Sequence, residues 1–354
     1  QQPQTKEKEG EKVKIAPMPT LPLPRSNAAP GMLAYLHVSK YVDHLPIYRI
    51  TQMLKRQQVE IAPSTINNWM RDTVKLLQPL YDKLKEQVQR SSYLMADETP
   101  IPVQKTGKPG GTSKGYHWVY YSPPDKLVCF DYGQGRSRQQ PQAFLENFQG
   151  SLQTDGYGAY ERFGQKPGIT LLACMAHARR KFEHALGQAP QYSDYVLGQM
   201  QKLYAIERTA REEGYSHQQR YNLRQEQAVP VLDELEKWLE EKKDEVLPKS
   251  TLGKAVHYTI NQWQKLRRYI ESGRYEIDNN LVENSIRPVT LGRKNYLFAG
   301  SHEGARWAAM MYSFFGTCKI NNVEPYHWLK RVLEIIPDYP ANKLDELLPG
   351  KLSQ

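Results

Sequence analysis

The spacing of apolar residues changes several times along this chain, and each change predicts a different kind of element. Apolar side chains recur at helical spacing from about 32 to 90, from 191 to 275 and again from 276 to 354. Between 91 and 190 they follow period two or form short runs, which is typical of strands. The pattern there predicts strands at 93–97, 116–121, 127–130 and 152–155, with a helix at 142–148. Three strands, a helix and a further strand predict an α/β layer.

The helical stretch from 191 to 275 predicts an insertion made only of helices. Two apolar stripes repeat there at intervals of three or four residues. Their members are Leu232, Leu235 and Leu239 in one stripe and Trp263, Leu266 and Ile270 in the other. The last segment predicts two more helices, around 307–314 and 328–336.

Within 32–90, a tight turn separates two short helices. Helical patterns at 46–54 and 63–69 flank the turn at 59–61, as in a helix-turn-helix unit. Ser64 is placed to cap the second helix. The exposed face of that helix offers candidate DNA contacts at Ser64, Thr65, Asn67, Asn68 and Arg71. An ordinary helical hairpin fits the same pattern, so both interpretations stay open.

Composition then divides the chain into five segments. Residues 1–31 mix Gln, Lys and Glu with several prolines and lack the apolar surface that orders a chain, so we expect a disordered or extended arm. The remaining segments are a helical DNA-binding domain at 32–90, the first part of an α/β core at 91–190, the helical insertion at 191–275, and the rest of the core with C-terminal helices at 276–354.

Charge and cysteine content narrow the functional classes. The 354 residues carry a net charge of +10, and residues 1–90 alone hold 14 basic and 8 acidic side chains, which indicates a polyanionic partner. Mean hydropathy is −0.70, and no apolar run approaches the roughly 18 residues that span a bilayer. The three scattered cysteines, Cys129, Cys174 and Cys318, exclude a disulfide framework and favour the reducing cytosol.

Two aspartates are predicted at the ends of strands, where ligand sites of α/β sheets gather. Asp97 is followed by Glu98, Thr99 and Pro100, which we expect to end the first strand. Asp155 ends the fourth strand and is followed by Gly156. If these strands are neighbours about 5 Å apart, the two carboxylates can share one divalent cation.

A third acidic residue is predicted on a helix. Residues 278–280 supply an N-cap and Pro288 a stop, so Glu283 is expected in the middle of the helix. Val282 and Ile286 mark its buried stripe, whereas Asn280, Glu283 and Arg287 form a polar one.

Each acid also has an ordinary structural interpretation. Asp97 fits a strand-end cap, Asp155 a turn residue, and Glu283 an ion-pair partner of Arg287 on the same helix. Together, Asp97, Asp155 and Glu283 form an oxygen-ligand set suited to Mg²⁺ or Mn²⁺. Two such ions can support in-line displacement at a phosphodiester.

Four motifs in this chain closely resemble the transposases of insertion sequence 66, a family of the DDE type. They are ADETP at 96–100, TDGY at 154–157, HARRKF at 177–182 and NNLVENSIRP at 279–288, and segment 39–49 extends the likeness. The resemblance runs from about 34 to 348. It implies a ribonuclease-H-like core, with a mixed five-stranded sheet flanked by helices and Asp97, Asp155 and Glu283 as the metal-binding catalytic triad.

The resemblance also implies an activity and its partners. These are cleavage of DNA strands at transposon ends and transfer of the 3′-OH into target DNA, with Mg²⁺ or Mn²⁺ and two ions when DNA is bound. We expect double-stranded DNA as the partner, a homodimer or larger assembly on it, accessory proteins of the element, and a bacterial cytoplasm with nucleoid association. Such transposases usually carry an N-terminal zinc-binding cysteine cluster, but no cysteine precedes Cys129 here.

Several basic residues near the motifs are further candidates for DNA contact. His177, Arg179, Arg180 and Lys181 follow the second aspartate, and Arg287, Arg293 and Lys294 follow the glutamate. A packed histidine and ordinary surface charge are the structural alternatives. Cys174 and His177 have C-x-x-H spacing, but zinc is not expected because the sequence offers no second ligand pair.

Two other functions stay open. One is a catalytically silent DNA-binding regulator, and the other is a ribonuclease-H-fold nuclease or resolvase without strand transfer. The presence of all three acids disfavours the regulator, and the helical insertion disfavours a simple nuclease.

Overall fold

The computed structural model describes residues 21–24, 26–105, 107 and 110–352. Most of the predicted arm therefore lies outside the described residues. Within the part that is described, Leu23 and Ala28 are buried in the main core, and Pro30 begins the first helix. This end of the segment packs against the fold because its few apolar side chains find a partner surface.

In the part of the chain that the structure describes, three helices precede the sheet: α1 (Pro30–Tyr41), α2 (Ile47–Arg56) and α3 (Pro63–Gln89). The turn predicted between α2 and α3 is present, but α3 is much longer than the predicted second helix. The prediction that Ser64 caps it is wrong, because Ala62 occupies the N-cap and Pro63 the first turn. Proline suits that position since its fixed φ is already helical and its missing N–H would be unpaired there anyway.

The central sheet is mixed and has five strands, so the predicted α/β layer is confirmed. Its strands are β1 (Tyr93–Gln104), β2 (Thr112–Ser122), β3 (Leu127–Gly133), β4 (Gly150–Thr154) and β5 (Ile169–Ala173), in the order β3-β2-β1-β4-β5. β1 pairs antiparallel with β2 and parallel with β4, and β5 is parallel to β4. Sequence patterning missed β5, because a five-residue apolar run fits a buried helix equally well.

The expectation that β1 ends after Asp97 is wrong. β1 continues to Gln104 because its antiparallel partner β2 pairs with it from Met95 onward. Pairing with β4 stops at Met95, so the other edge of β1 is free at Pro100. The Pro100 carbonyl turns to that free edge and accepts a hydrogen bond from Arg293, so the missing N–H of the proline costs no ladder bond.

The remaining helices are mostly longer than their sequence signals. They are α4 (Gln139–Phe144), α5 (Gly158–Glu161), α6 (Met175–Ala185), α7 (Pro190–Glu212), α8 (His217–Leu223), α9 (Val229–Lys242), α10 (Thr251–Arg267), α11 (Asn280–Tyr296), α12 (His302–Ile320) and α13 (Pro325–Ile335). Pro288 was expected to end α11 but lies inside it, so Glu283 belongs to the first turn rather than to the middle. The buried stripe of Val282 and Ile286 continues through Val289 and Gly292, and this packing holds the helix together beyond the proline.

The described residues form two hydrophobic cores. The first joins α1–α3, the sheet and α11–α13. The second contains α6–α10 and includes every member of the two predicted apolar stripes of the insertion. α6 leaves the carboxyl end of β5 and enters the second core, so the polypeptide between them joins the two.

A buried ion-pair network closes the second core. Arg224 is 0% exposed, and its guanidinium contacts the Glu207 carboxylate, 1% exposed, at 2.7 Å. The same guanidinium donates hydrogen bonds to the carbonyls of Tyr269, Ser272 and Tyr275. Arg220 joins Glu207 to Glu276, which lies just before α11. This network fixes the end of the insertion where the chain returns toward the sheet.

Within the described residues, no helix is both long enough and apolar enough to cross a membrane.

Replacing Arg224 with Met should lower the free energy of unfolding by about 3 kcal/mol. The substitution leaves the buried Glu207 carboxylate with Arg220 as its remaining ion-pair partner. Urea unfolding followed by tryptophan fluorescence measures this. The exposed Arg208, on the same helix as Glu207, provides the matched control, and Arg208→Met should change stability by less than about 0.5 kcal/mol. Equal stabilities of the two variants would contradict a structural role for the network.

Candidate active site

The pairing of β1 with β4 brings the two predicted aspartates together. Met95 lies opposite Gln153 in a parallel ladder, and Asp97 and Asp155 each lie two residues beyond that pair. Parallel neighbours are about 4.8 Å apart, and residues at the same level face the same side of the sheet. One oxygen of each carboxylate accepts a backbone N–H, from Glu98 to Asp97 at 2.7 Å and from Tyr157 to Asp155 at 2.8 Å.

Glu283 reaches this edge because the start of α11 is tied to β1. The Asn279 side chain donates to the Ala96 carbonyl at 3.2 Å, next to Asp97, and its backbone N–H donates to Cys174 Sγ at 3.2 Å. Glu283 follows one turn later, with its N–H bonded to the Asn279 carbonyl. Asn279 holds the N-cap position without capping through its side chain, and Asp278 Oδ1 accepts the N–H of Asn280 instead.

The three carboxylates are close enough to repel one another. Burial raises the pKa of Asp97 to about 8, and the charges of Glu98, Asp155 and Glu283 push in the same direction. Their oxygens do not all lie within 4.8 Å of one another. The Glu283 carboxylate faces the start of α6. There its oxygens lie 3.9 Å from His177 Nδ1 and 3.9 Å from an Arg180 nitrogen.

The donor set fits a hard divalent cation. Glu283 Oε1 is buried and accepts no hydrogen bond from any described residue. The second oxygens of Asp97 and Asp155 likewise have no hydrogen-bond donor in the described part of the chain. Three clustered carboxylates with free oxygens are the ligands that Mg²⁺ and Mn²⁺ prefer.

A pocket of about 340 Å³ with basic walls opens beside Asp155. Its lining consists of Asp155, Gly156, Tyr157, His177, Arg180, Lys181, His184 and Tyr258. We call it the basic groove. Tyr258 donates to the Asp155 carbonyl at 2.8 Å, and the Lys181 ammonium lies 4.3 Å from the centre of the Tyr258 ring. Burial lowers the pKa of His177, so at neutral pH its imidazole is uncharged.

A second chain of contacts positions Asp155, and sequence analysis missed it. The Glu98 side chain is 3% exposed and accepts a hydrogen bond from Arg136 Nε at 2.6 Å. The Arg136 guanidinium stacks on the Tyr157 ring at 3.9 Å, and the Tyr157 N–H holds Asp155. Glu98 adjoins Asp97 and could have been singled out for that reason, but nothing in the sequence marks Arg136 as its partner.

The other basic candidates are spread over the surface. Arg180 and Lys181 line the basic groove, whereas Arg179 pairs with Glu183 at 3.0 Å. Arg287 and Lys294 are exposed on α11. Arg293 is only half-exposed, and its guanidinium is bonded to Pro100 and to Thr290, so it faces the protein rather than solvent.

None of the candidates on α3 lines the basic groove. Ser64, Asn67 and Asn68 are exposed, and Thr65 is half-buried. The Asn67 amide donates to the Pro63 carbonyl, and Arg71 contacts Asp72 at 2.8 Å.

The structure also supplies a third partner for the C-x-x-H pair. Ligand atoms of Cys174, His177 and Glu283 all lie within 4.8 Å of one another. The sequence could not show this, since 105 residues separate Cys174 from Asn279, whose N–H holds the thiol beside α11.

Comparison with known proteins agrees with the motifs. The family model described as "Transposase IS66 family" matches residues 25–307, and the one described as "IS66 C-terminal element" matches residues 313–349.

Three curated relatives carry no assigned function. The chain is 36% identical over 337 residues to the uncharacterized protein y4qI of Sinorhizobium fredii, covering 90% of this chain and 61% of that protein. It is 31% identical over 351 residues to the uncharacterized protein y4jD of the same organism, covering 94% of this chain and 68% of that one. A 49-residue stretch is 47% identical to the uncharacterized protein YuaK of Escherichia coli, covering 14% of this chain and 52% of that protein.

The chain thus spans about three fifths to two thirds of the length of the two Sinorhizobium proteins. Both family models together cover most of its residues. The chain belongs to the IS66 family of transposases.

Proposed function

We propose that this chain is the catalytic part of a DNA transposase of the DDE type, built on a ribonuclease-H-like core. The observation that supports this most is that Asp97 on β1 and Asp155 just after β4 each lie two residues beyond the last pair of the parallel β1–β4 ladder. The charge of Glu283 on α11 reaches the same position. The strand order β3-β2-β1-β4-β5, with β1–β3 antiparallel and β4 and β5 parallel to β1, supports such a core.

Asp97, Asp155 and Glu283 would hold Mg²⁺ or Mn²⁺, with two ions when DNA is bound. The bound ions would offset the charge that develops on a phosphodiester during in-line displacement. For all three acids to bind one ion, the Glu283 side chain must turn from His177 and Arg180 toward the aspartates. Rotation about its own side-chain bonds can do this while Val282 and Ile286 keep α11 fixed.

The basic groove would hold the DNA backbone against the acids. Arg180 and Lys181 offer charge to the phosphates, and neutral His177 offers a ring N–H. Tyr258 and Tyr157 keep Asp155 in place. Water attack at an element end would release a 3′-OH, and that oxygen would then attack target DNA. Both reactions are in-line substitutions at phosphorus, so one site serves for both.

Double-stranded DNA is therefore the proposed partner. Holding two element ends together calls for a dimer or larger assembly on DNA. Accessory proteins encoded by the element are further proposed partners. Exposed residues of α3, with Arg287 and Lys294 on α11, are the proposed additional DNA contacts.

Replacing any one acid should abolish the reaction. With DNA that carries the element's ends, Asp97→Asn, Asp155→Asn and Glu283→Gln should each reduce Mg²⁺-dependent nicking by more than about a hundredfold, because each removes a charged ligand. A gel assay with labelled strands, run with and without a chelator, measures nicked and joined products. Glu241→Gln, an exposed acid on α9, is the matched control and should cleave as the unmodified chain does.

The products also separate the alternative functions. Joined strands support transposition, and nicking without joining supports a nuclease or resolvase. DNA binding without nicking supports a silent regulator. Nicking that survives all three substitutions would refute the proposed catalytic triad.

Asp97→Asn should stabilise the metal-free protein, because it removes a carboxylate charge that burial, and then the neighbouring carboxylates, make unfavourable. The pKa of Asp97 is raised to about 8 in the folded chain, against an ordinary value of 3.8. The penalty of keeping a carboxyl there therefore grows from about pH 4 to pH 8 and is constant above pH 8. Thermal melts at several pH values should show the variant's advantage widening over that range. A difference in melting temperature between the variant and the unmodified chain that narrows as pH rises would contradict a raised pKa at Asp97.

Charge in the basic groove should govern DNA affinity. The double substitution Arg180→Gln with Lys181→Gln should weaken DNA binding to a similar extent whatever the DNA sequence. It should also lower the magnitude of the slope of log binding constant against log salt concentration by up to about two. Fluorescence anisotropy at several salt concentrations measures both effects. Lys237→Gln with Lys249→Gln removes the same charge from exposed positions in the insertion and should leave the slope unchanged. If the two double variants show the same dependence of DNA affinity on salt, the basic groove does not contact phosphates.

A further inference from the structure

We propose that Cys174, His177 and Glu283 form a second metal site, selective for zinc and similar soft divalent ions, and that an ion there withdraws Glu283 from the two aspartates. The proposed metal site does not depend on the proposed function. Only the inhibitory consequence rests on the proposed function, since it requires Glu283 to be part of the catalytic cluster.

The ligand atoms are already gathered. Those of Cys174, His177 and Glu283 all lie within 4.8 Å of one another, and no other group of three or more Cys, His, Asp or Glu in the described chain meets that limit. His177 Nδ1 and Glu283 Oε1 are 3.9 Å apart. Tetrahedral zinc needs ligand separations of about 3.3–3.6 Å, given its bond lengths of about 2.0–2.3 Å. Small side-chain rotations therefore complete the site.

Two buried atoms at this point lack a hydrogen-bond partner. His177 Nδ1 and Glu283 Oε1 are both inaccessible to solvent and bonded to no described residue. Burying unpaired polar atoms side by side is unfavourable, and a shared cation would satisfy both. The Arg180 guanidinium lies near the other Glu283 oxygen, so it does not fill this position.

The chemistry of the donors distinguishes this site from the catalytic cluster. A thiolate and an imidazole are soft or borderline ligands that favour zinc over magnesium, whereas Asp97 and Asp155 offer only hard oxygens. Cys174 lies at the N-cap of α6, and its Sγ accepts the Asn279 N–H at 3.2 Å, but burial raises the pKa of Cys174 to about 12, so the residue is a thiol in the metal-free protein. On binding, the ion takes the place of the thiol proton, which passes to solvent, and water completes the tetrahedron.

Glu283 cannot serve both sites at once. In the described conformation its carboxylate already faces His177 rather than the aspartates. An ion held by Cys174 and His177 would fix that orientation. Zinc would thus inhibit the proposed Mg²⁺-dependent reaction by taking one of its three ligands.

Cobalt(II) is the direct probe, because it replaces zinc and reports a bound thiolate by its charge-transfer absorption. Titrating the whole chain with Co²⁺ should give a thiolate-to-cobalt band and tetrahedral d–d bands that saturate at one ion per chain and are lost on adding Zn²⁺. Cys174→Ser should abolish the charge-transfer band. His177→Gln should weaken Co²⁺ binding by more than about tenfold, since even losing an outer-shell partner costs about 10–100-fold.

Control variants locate the ion. Cys129→Ser changes another buried thiol outside this cluster and should leave the bands intact, as should Asp97→Asn. Circular dichroism of each variant confirms that it is folded. The proposal is overturned if the unmodified chain gives no thiolate band, or if the band survives in folded Cys174→Ser.

Inhibition is tested separately from binding. Zn²⁺ should inhibit Mg²⁺-dependent nicking of the unmodified chain, and the inhibiting concentration should rise more than about tenfold in Cys174→Ser when each protein is compared with its own zinc-free rate. Cobalt bands without any nicking would refute the proposed function and leave the metal site standing. Nicking with cobalt bands but no zinc inhibition would overturn the sharing of Glu283.

Discussion

The structure depends on holding mutually repelling carboxylates together at one edge of a sheet. Three residue pairs between β1 and β4 set the level at which Asp97 and Asp155 meet. The repulsion is opposed by fixed local donors, namely the N–H groups of Glu98 and Tyr157, and by Arg136 on the Glu98 carboxylate. Such an arrangement is costly without a cation, which agrees with the metal-binding role proposed for the cluster.

The helical insertion is part of this arrangement rather than an appendage. Tyr258 on α10 bonds the Asp155 carbonyl, and Tyr204 on α7 bonds Asp278 just before α11. Arg220 joins Glu207 of the insertion to Glu276, which lies close to the same turn. The second core therefore helps to fix both the aspartate after β4 and the helix that carries Glu283, so changes in insertion packing reach the acids through direct hydrogen bonds.

Glu283 lies between two sets of donors of different character. On one side are the oxygens of Asp97 and Asp155, and on the other the thiol of Cys174 and the imidazole of His177. α11 fixes the backbone, and the side chain alone selects between them. The proposed triad of Asp97, Asp155 and Glu283 therefore requires a turn of the Glu283 side chain, whereas the group of Cys174, His177 and Glu283 is already gathered.

Much of the secondary structure was determined by the sequence itself. Apolar periodicity indicated that the insertion is helical, marked α9 and α10 within it, and located the antiparallel strands β1–β3, because buried stripes and alternation leave a local signature. Four short motifs indicated the family and all three acids. Predictions from local sequence failed where packing against another element was stronger. Pairing with β2 extends β1 beyond Pro100, and a buried stripe that continues along α11 extends this helix beyond Pro288. Only the tertiary structure decided which residues surround the acids, including Arg136, Tyr258 and the meeting of Cys174 with Glu283, because such contacts join positions far apart in the chain and leave no pattern in either segment.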